Sequence, residues 1–191
     1  MRALLVLLLT AVTGLAAAQG YGPGPVQVRF ETTAGAFTVA LDGQRAPLST
    51  ANFVRYVNSG HYEGTVFHRV VADFVVQGGG HTVDGSEKPT GDPVPNESGN
   101  GLTNRRGTVA MARTGDPHSA TAQFYVNLAD NLNLDPRPDR WGYAVIGQVV
   151  QGMEVIERIA ATPTGARGPF PQDAPLEPIV IIRAEVVGAA Q

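Results

Sequence analysis

The sequence predicts a mostly β domain, folded as a closed eight-stranded antiparallel barrel that two α-helices cap. Short apolar runs recur along the chain and are separated by long loops rich in turn residues. Only two stretches space their apolar residues at helical intervals. A closed barrel is favoured over an open sheet because closure leaves no unpaired strand edge.

The first elements are predicted to be a β-hairpin and a helix. Apolar and polar residues alternate over 26–30 and again over 37–41, on either side of the turn sequence 32–35. This pattern indicates two antiparallel strands. The next apolar residues recur at helical spacing within 47–58, which opens with a proline and is followed by Gly60. Proline is favoured in the first helical turn and glycine after the last, so these bounds predict a short helix.

The rest of the chain supplies the remaining strands and the second helix. Further strands are predicted at 65–69, 74–77, 108–111, 123–127, 144–149 and 179–187. The second helix is predicted at 153–161. The connecting segments 88–102 and 162–178 are rich in turn residues and are predicted to be long loops.

The N-terminal residues have the layout of a secretory signal peptide. Arg2 precedes the apolar run 3–15, and Ala16-x-Ala18 matches a cleavage site for small residues. We therefore expect residues 1–18 to be removed, 19–25 to form a flexible Gly/Pro-rich arm, and 26–188 to form the domain. The expected product is exported to the periplasm or the extracellular space and is not stably inserted in a membrane.

The composition argues against several classes of function. The formal net charge is −3, with acidic and basic residues interspersed, so no nucleic-acid partner is expected. The absence of cysteine excludes disulfides, thiolate metal sites and thiol nucleophiles. The four histidines lack the spacing of a metal site, so neither a metal nor another cofactor is expected. A monomer is expected.

A serine-hydrolase site is also not expected. Asp116, His118 and Ser119 are the residue types of a catalytic triad, but they lie on one short loop where the required mutual geometry is difficult to reach. The chain also lacks the G-x-S-x-G nucleophile elbow. A turn is the better interpretation of these residues.

The segment 67–80 places charged and amide side chains inside apolar strands. Arg69 and Gln77 stand among valines and phenylalanines, where a buried polar group is costly unless it has a partner. Taken alone, each has an ordinary explanation: an arginine lying along the barrel surface, or a glutamine bonded to a turn. Strand alternation adds that Val75 and Gln77 share one face while Val76 points oppositely. An apolar and an amide group therefore face the same place.

The segment 123–127 repeats this pattern on a second predicted strand. Gln123, Tyr125 and Asn127 share one face, and the two residues between them point to the opposite, core side. Two strands are thus predicted to present an apolar body beside an amide.

Four motifs in this order and spacing resemble those of the cyclophilins. They are Phe67-His68-Arg69, Phe74-x-x-Gln77-Gly78-Gly79, Gly107 through Ala112, and Gln123-Phe124-Tyr125. The resemblance extends from about Val26 to Val187. Arg113, taken with 129–131 and 142–145, is similar to the periplasmic bacterial branch of that family.

The resemblance implies a peptidyl-prolyl cis-trans isomerase that accelerates X-Pro rotation in the folding of exported proteins. Such a catalyst needs no cofactor, because it has only to bind the twisted peptide bond better than the planar one. Its expected partners are unfolded or partly folded proteins and peptides that contain X-Pro. The alternative is a non-catalytic chaperone or scaffold module that binds Pro-containing segments. The intact Arg69, Phe74 and Gln77 favour the enzyme.

The resemblance also implies the residues of the site. The catalytic residues are Arg69, Phe74 and Gln77. The substrate-binding residues are His68, Val75, Ala112, Arg113, Gln123, Tyr125, Leu134 and Tyr143.

The sequence departs from the best-known cyclophilin pattern around the proline pocket. Val75 replaces a methionine, Tyr125 a phenylalanine, Arg113 an asparagine and Tyr143 a histidine. Asn133 stands where members that bind cyclosporin tightly have tryptophan, so tight cyclosporin binding is not expected. The apolar floor of the pocket is retained, and the substrate preference is expected to differ.

Overall fold

A computed structural model describes residues 26–189. The strands are β1 (Val26–Thr32), β2 (Gly35–Leu41), β3 (Thr65–Val71), β4 (Val75–Thr82), β5 (Thr108–Met111), β6 (Phe124–Asn127), β7 (Val145–Gln151), β8 (Thr164–Arg167), β9 (Phe170–Pro175) and β10 (Ile181–Ala189). The helices are α1 (Pro47–Asn58), α2 (Met153–Ala160) and a short 3-10 helix at Leu132–Leu134. The predicted signal peptide and arm lie outside the described residues.

Eight of the strands form one antiparallel sheet in the order β10-β1-β2-β7-β5-β6-β4-β3. The sheet curls into an open half-barrel, so the prediction of a mostly β fold with two α-helices is confirmed and the prediction of a closed barrel is wrong. At the open edge, β3 and the chain at the start of β10 share one isolated bridge, between Val66 and Val180, and no continuous ladder. Two backbone hydrogen bonds accompany the bridge, from the Phe67 N–H to the Ile179 carbonyl at 3.0 Å and from the Gly64 N–H to the Ile181 carbonyl at 2.9 Å. On its other side, Val180 bonds Thr33 in the β1–β2 turn: its N–H donates to Oγ1 at 3.1 Å, and its carbonyl accepts from the Thr33 N–H at 3.0 Å. A ladder needs a run of consecutive paired residues, and the pairing here stops after this short contact.

The main core fills the concave side of the half-barrel. Six fully buried aromatic rings dominate it: Phe30, Phe37, Phe53, Tyr62, Phe67 and Phe124. The ring centroids of Phe30 and Phe37 stack 5.0 Å apart, and Phe53 of α1 meets Phe124 edge to face at 5.4 Å. The helix α2 contributes a buried stripe at Val155, Ile156 and Ile159, as its apolar spacing requires.

The hairpin of β8 and β9 was not predicted from the sequence. It forms a separate two-stranded sheet within 162–178, which was predicted to be a loop, and β9 lies against β3. Strands are usually recognised from alternating apolar residues. Here Gly, Pro and polar residues dominate, and Ala174 and Pro175 alone are buried among the residues of the two strands. Within residues 26–189, no helix has the length and apolar character needed to cross a membrane.

Candidate active site

A second apolar cluster lies on the face of the sheet opposite the main core. Its buried residues are Val75, Ala110, Ala112, Tyr125 and Val145. The alternating partners on the same strands, Val76, Val109, Phe124, Val126 and Ile146, belong to the main core instead. The period of two predicted for β4 and β6 is thereby confirmed, and it supplies a second, outward-facing apolar surface.

The strand register places the polar groups of the site in one row across this surface. Arg69 of β3 pairs with Gln77 of β4, and Gln77 pairs with Tyr125 of β6. Tyr125 in turn pairs with Ala110 of β5. Side chains directly opposite each other in a sheet share a face. The register therefore aligns a guanidinium, an amide and a phenol ring side by side.

A β-bulge in β3 turns Arg69 to this face. Phe67 pairs with Gly78 and Arg69 pairs with the adjacent Gln77, so His68 is an extra residue on the bulged strand. Simple alternation would point Phe67 and Arg69 to the same side. With the bulge, Phe67 is buried in the main core while Arg69 lines the pocket. Bulges commonly re-aim a side chain next to an active site.

The pocket over this row is an open depression with about 390 Å³ of empty space, part of which is open solvent. Nine residues line it: Arg69, Phe74, Val75, Gln77, Ala112, Arg113, Tyr125, Leu134 and Tyr143. All three predicted catalytic residues and six of the eight predicted substrate-binding residues are in this set. The structure thus brings together side chains that are up to 74 positions apart (143 − 69).

Arg69 stands at one end of the pocket with its side chain 40% exposed. Its guanidinium carbon lies 5.8 Å from the centroid of the Phe74 ring. On another side, its Nε is 3.9 Å from Oδ2 of Asp173 on β9. The cation is therefore placed between an aromatic face and a carboxylate, beside the apolar floor.

Arg113 and Tyr143 form the opposite rim. The Arg113 guanidinium carbon lies 4.3 Å from the centroid of the Tyr143 ring, a cation-π distance. The same guanidinium donates hydrogen bonds to the carbonyls of Gly142 at 3.2 Å, Trp141 at 3.1 Å and Thr114 at 2.9 Å. These bonds hold the rim in place. They come from an arginine side chain at the position where the better-known cyclophilin pattern has an asparagine.

A buried hydrogen-bond network holds the floor of the pocket from behind. The Tyr125 hydroxyl donates to Oδ1 of Asn104 at 2.7 Å, and Asn127 Nδ2 donates to the same oxygen at 3.2 Å. Asn104 donates its own Nδ2 and backbone N–H to Oδ1 of Asp135, each at 2.8 Å. Burial raises the pKa of the Tyr125 phenol, as do the nearby Tyr143 and Asp135. The phenol is consequently neutral and acts as a donor.

Two predicted site residues do not line the pocket. Gln123 stands behind Gln77, whose Nε2 donates to its Oε1 at 3.2 Å, so it supports a lining residue. His68 is buried against the β8–β9 hairpin, where its ring stacks on Phe170 at 5.4 Å and meets His81 at 4.6 Å. Burial, followed by the charges of His81 and Arg69, lowers the pKa of His68 to about 4. The bulge at His68 explains this placement.

Two residues that contact the site, Asn104 and Asp173, were not predicted from the sequence. Asn104 lies in a loop distant in sequence from its partners and has no motif that would identify it. Asp173 lies in the hairpin that was predicted to be a loop. Its one sequence signal is an acidic residue within the otherwise neutral stretch 168–176.

The arrangement suits binding of a peptide with an apolar ring, not cleavage of a bond. The floor offers aliphatic and aromatic surface, and a guanidinium, an amide and backbone groups surround it. None of the nine lining side chains pairs a nucleophile with a base of the kind that covalent catalysis needs. Within the described part of the chain, no three His, Asp or Glu side chains are grouped so that they could hold a metal ion.

The half-barrel and this pocket define a cyclophilin-type fold. A family model for the cyclophilin-type peptidyl-prolyl cis-trans isomerases matches residues 27–186. The chain is 52% identical over 160 residues to peptidyl-prolyl cis-trans isomerase A of Dickeya dadantii, covering 84% of each protein. It is 49% identical to an isomerase of Streptomyces antibioticus (84% of this chain, 98% of the relative) and 44% identical to isomerase B of Escherichia coli (81% and 95%). The chain therefore belongs to the cyclophilin-type peptidyl-prolyl cis-trans isomerases and is an isomerase.

Solved structures agree on the fold. A crystal structure of a Cryptosporidium parvum cyclophilin-type isomerase superposes with a TM-score of 0.67 at 23% identity, covering 87% of this chain and 99% of that one. A second structure of that protein, in the presence of the dipeptide Ala-Pro, gives a TM-score of 0.64.

Proposed function

We propose that this isomerase binds the X-Pro bonds of exported proteins in the pocket around Arg69 and accelerates their rotation during folding. The single observation that carries the proposal is the in-register row of Arg69, Gln77 and Tyr125 beside an outward-facing apolar floor. The structural neighbour studied with Ala-Pro supports a proline ligand at such a fold.

The reaction itself sets what the site must do. Rotation about an X-Pro bond breaks no covalent bond, and its barrier of about 18–20 kcal/mol reflects loss of amide resonance. Uncatalysed, it takes tens to hundreds of seconds. A catalyst must therefore interact more strongly with the twisted bond than with the planar one.

Arg69 is assigned to the twisted bond. When the bond twists, the prolyl nitrogen regains a lone pair that the planar amide has delocalised. A guanidinium N–H beside the ring can donate to this lone pair, and that interaction strengthens only as the transition state is approached. A preorganised donor to developing charge typically contributes about 3–4 kcal/mol. Partial exposure of Arg69 places it at the lower end of this range.

The other lining residues are assigned to holding the substrate. Phe74, Val75 and Tyr125 offer apolar surface for the pyrrolidine ring, with Leu134 and Tyr143 beside them. Gln77, restrained by Gln123, is assigned to hydrogen bonding with substrate peptide groups. Holding the ring while the preceding carbonyl turns keeps the rotation local to one bond.

Export is proposed on the sequence of residues 1–18. A basic residue, an apolar run and a small-residue cleavage pattern together are typical of a secretory signal. The product would meet proteins that fold after crossing the membrane, in the periplasm or outside the cell. To test this, the full chain is expressed in a Gram-negative bacterium, and the N-terminus and compartment of the product are determined. We expect a periplasmic protein that begins at Gln19, and a cytoplasmic protein that retains Met1 would contradict the proposal.

The role of Arg69 is tested by following cis-to-trans relaxation of a short X-Pro peptide with the chain from Gln19 onward. Arg69→Ala should lower kcat/KM about 100-fold, the rate equivalent of about 3 kcal/mol. Arg45→Ala is the matched control, because Arg45 is an exposed arginine whose carboxylate partner, Asp42, also lies 3.9 Å away. Equal acceleration by the wild type and Arg69→Ala would remove Arg69 from this role.

A further inference from the structure

We infer that Asp173 is a positioning residue that orients the Arg69 guanidinium for catalysis. The inference rests on the role proposed for Arg69 and extends it to a residue of the β8–β9 hairpin. The main observation is that Asp173 Oδ2 lies 3.9 Å from Arg69 Nε. The two residues are on β9 and β3, which belong to different sheets.

Asp173 approaches the Arg69 guanidinium from the side of Nε and not from the side of its terminal nitrogens. Nε lies at the inner edge of the planar group, whereas the two terminal nitrogens point away from the side-chain stem. A carboxylate near Nε restrains the plane from one side, and the Phe74 ring 5.8 Å from the guanidinium carbon restrains it from another. The terminal N–H groups then remain available for a substrate in the pocket.

The hairpin is fixed firmly enough to serve as this support. Ala174, next to Asp173, is fully buried and pairs with Gly165 of β8. Phe170 of the same strand stacks on His68, the residue directly before Arg69, and meets His81 edge to face at 5.1 Å. The residues next to Asp173 and next to Arg69 are therefore both held by buried packing. This packing sets the distance between the two charged side chains.

The backbone at Asp173 also suits an aspartate. Its φ of 60° is in the left-handed region, which aspartate and asparagine adopt more readily than other non-glycine residues. Asp173 lies where the register of β8 and β9 shifts, between the Gly165–Ala174 and Arg167–Phe170 pairs. Because asparagine tolerates the same conformation and has the same shape, Asp173→Asn removes the charge with little change of structure.

The charges around the pocket indicate how the Asp173–Arg69 ion pair should affect catalysis. Arg69 and Arg113 are both cationic and line one pocket, and the Asp173 side chain, 29% exposed, is the carboxylate beside Arg69. An arginine without a fixed partner samples many rotamers, and ordering it costs free energy at each turnover. A preset guanidinium avoids that cost in the transition state. Asp173 should consequently affect kcat more than KM.

The experiment measures kcat and KM for X-Pro isomerisation at low ionic strength. Asp173→Asn should lower kcat by about two- to five-fold, the range expected for a partly exposed charge pair, and leave KM nearly unchanged. Added salt should lower the wild-type kcat towards that of the variant, because salt screens partly exposed charges. Asp92→Asn is the matched control: it makes the same charge change at an exposed loop residue outside the pocket and should have no effect.

A double-mutant cycle separates positioning from a general structural effect. If Asp173 acts through Arg69, adding Asp173→Asn to Arg69→Ala should cause no further loss. The same loss in both backgrounds, or an unchanged kcat in the single variant, would overturn the inference. Asp173→Gly, which suits the left-handed backbone and removes the whole side chain, should reproduce the result if Asp173→Asn folds poorly. Full activity of Arg69→Ala would instead remove Arg69 from the role proposed for it, on which this inference rests.

Discussion

The buried hydrogen bond between Tyr125 and Asn104 predicts that Tyr125→Phe destabilises the protein but preserves its activity. The phenol lines the pocket with its ring and bonds away from the substrate with its hydroxyl, 2.7 Å from Asn104 Oδ1. Tyr125 is 4% exposed and Asn104 is fully buried, so water cannot readily replace the lost donor. Removing the hydroxyl should thus affect folding more than catalysis.

The magnitude follows from what Asn104 Oδ1 retains. A buried acceptor left without any donor costs about 1–3 kcal/mol, but this oxygen keeps the Asn127 Nδ2 donor at 3.2 Å. The loss should therefore be near that of one neutral hydrogen bond, about 1 kcal/mol. For a domain of this size, the melting temperature should fall by about 2–4 °C.

Urea unfolding and the isomerase assay test this prediction together. We expect a lower urea midpoint with an unchanged m-value, and a kcat/KM within about two-fold of the wild type. Asn104→Ala is the informative comparison, because it also removes the side-chain contacts to Asn127 and Asp135 and should cost about 3 kcal/mol. An unchanged stability of Tyr125→Phe, or a ten-fold loss of activity, would refute the assignment of the hydroxyl to the network.

Two further predictions concern pH and a glycine. Burial holds the pKa of His68 at about 4, below its ordinary 6.5, so the unfolded chain binds the extra proton between these values. The contribution of neutral His68 to the free energy of unfolding is therefore complete above pH 6.5, and about 3 kcal/mol of it is lost as the pH falls towards 4. Urea unfolding at pH 7 and at pH 4.5 measures this loss of stability, which should be smaller in His68→Phe. Gly142→Ala should lower both the melting temperature and kcat/KM, since the added Cβ would clash with the backbone nitrogen of Pro136 beside the pocket. Gly115→Ala is the control: its Cβ would meet no atom within 4 Å, and it should be neutral in both assays.

Several features of the fold could be predicted because their causes are local. The bounds 47–58 of α1 and 108–111 of β5 match the structure, and α2 begins at Met153 as predicted. Each has a signal within a few residues of chain, such as a proline in the first turn or an apolar run between turns. The β8–β9 hairpin has no such signal, because its stability depends on packing against β3.

The candidate site divides in the same way. Val75, Gln77 and Tyr125 could be placed on one face from strand alternation, and the ordered motifs added Arg69 and the rim. His68 could not be placed, since the bulge that leaves it unpaired depends on the pairing of Phe67 with Gly78. A single extra residue reverses which face a side chain takes, and no local pattern specifies it.

The amino-acid sequence by itself predicts a mostly β domain from its apolar spacing, and strand alternation places an apolar group beside an amide on each of two strands. The cyclophilin-type isomerase and the guanidinium at its site are what the resemblance of four ordered motifs implies. Tertiary structure determines that the sheet stops short of closing, that Asp173 stands beside Arg69 and that Asn104 holds Tyr125. Each of these depends on groups far apart in the chain, whose meeting is set by packing and strand register.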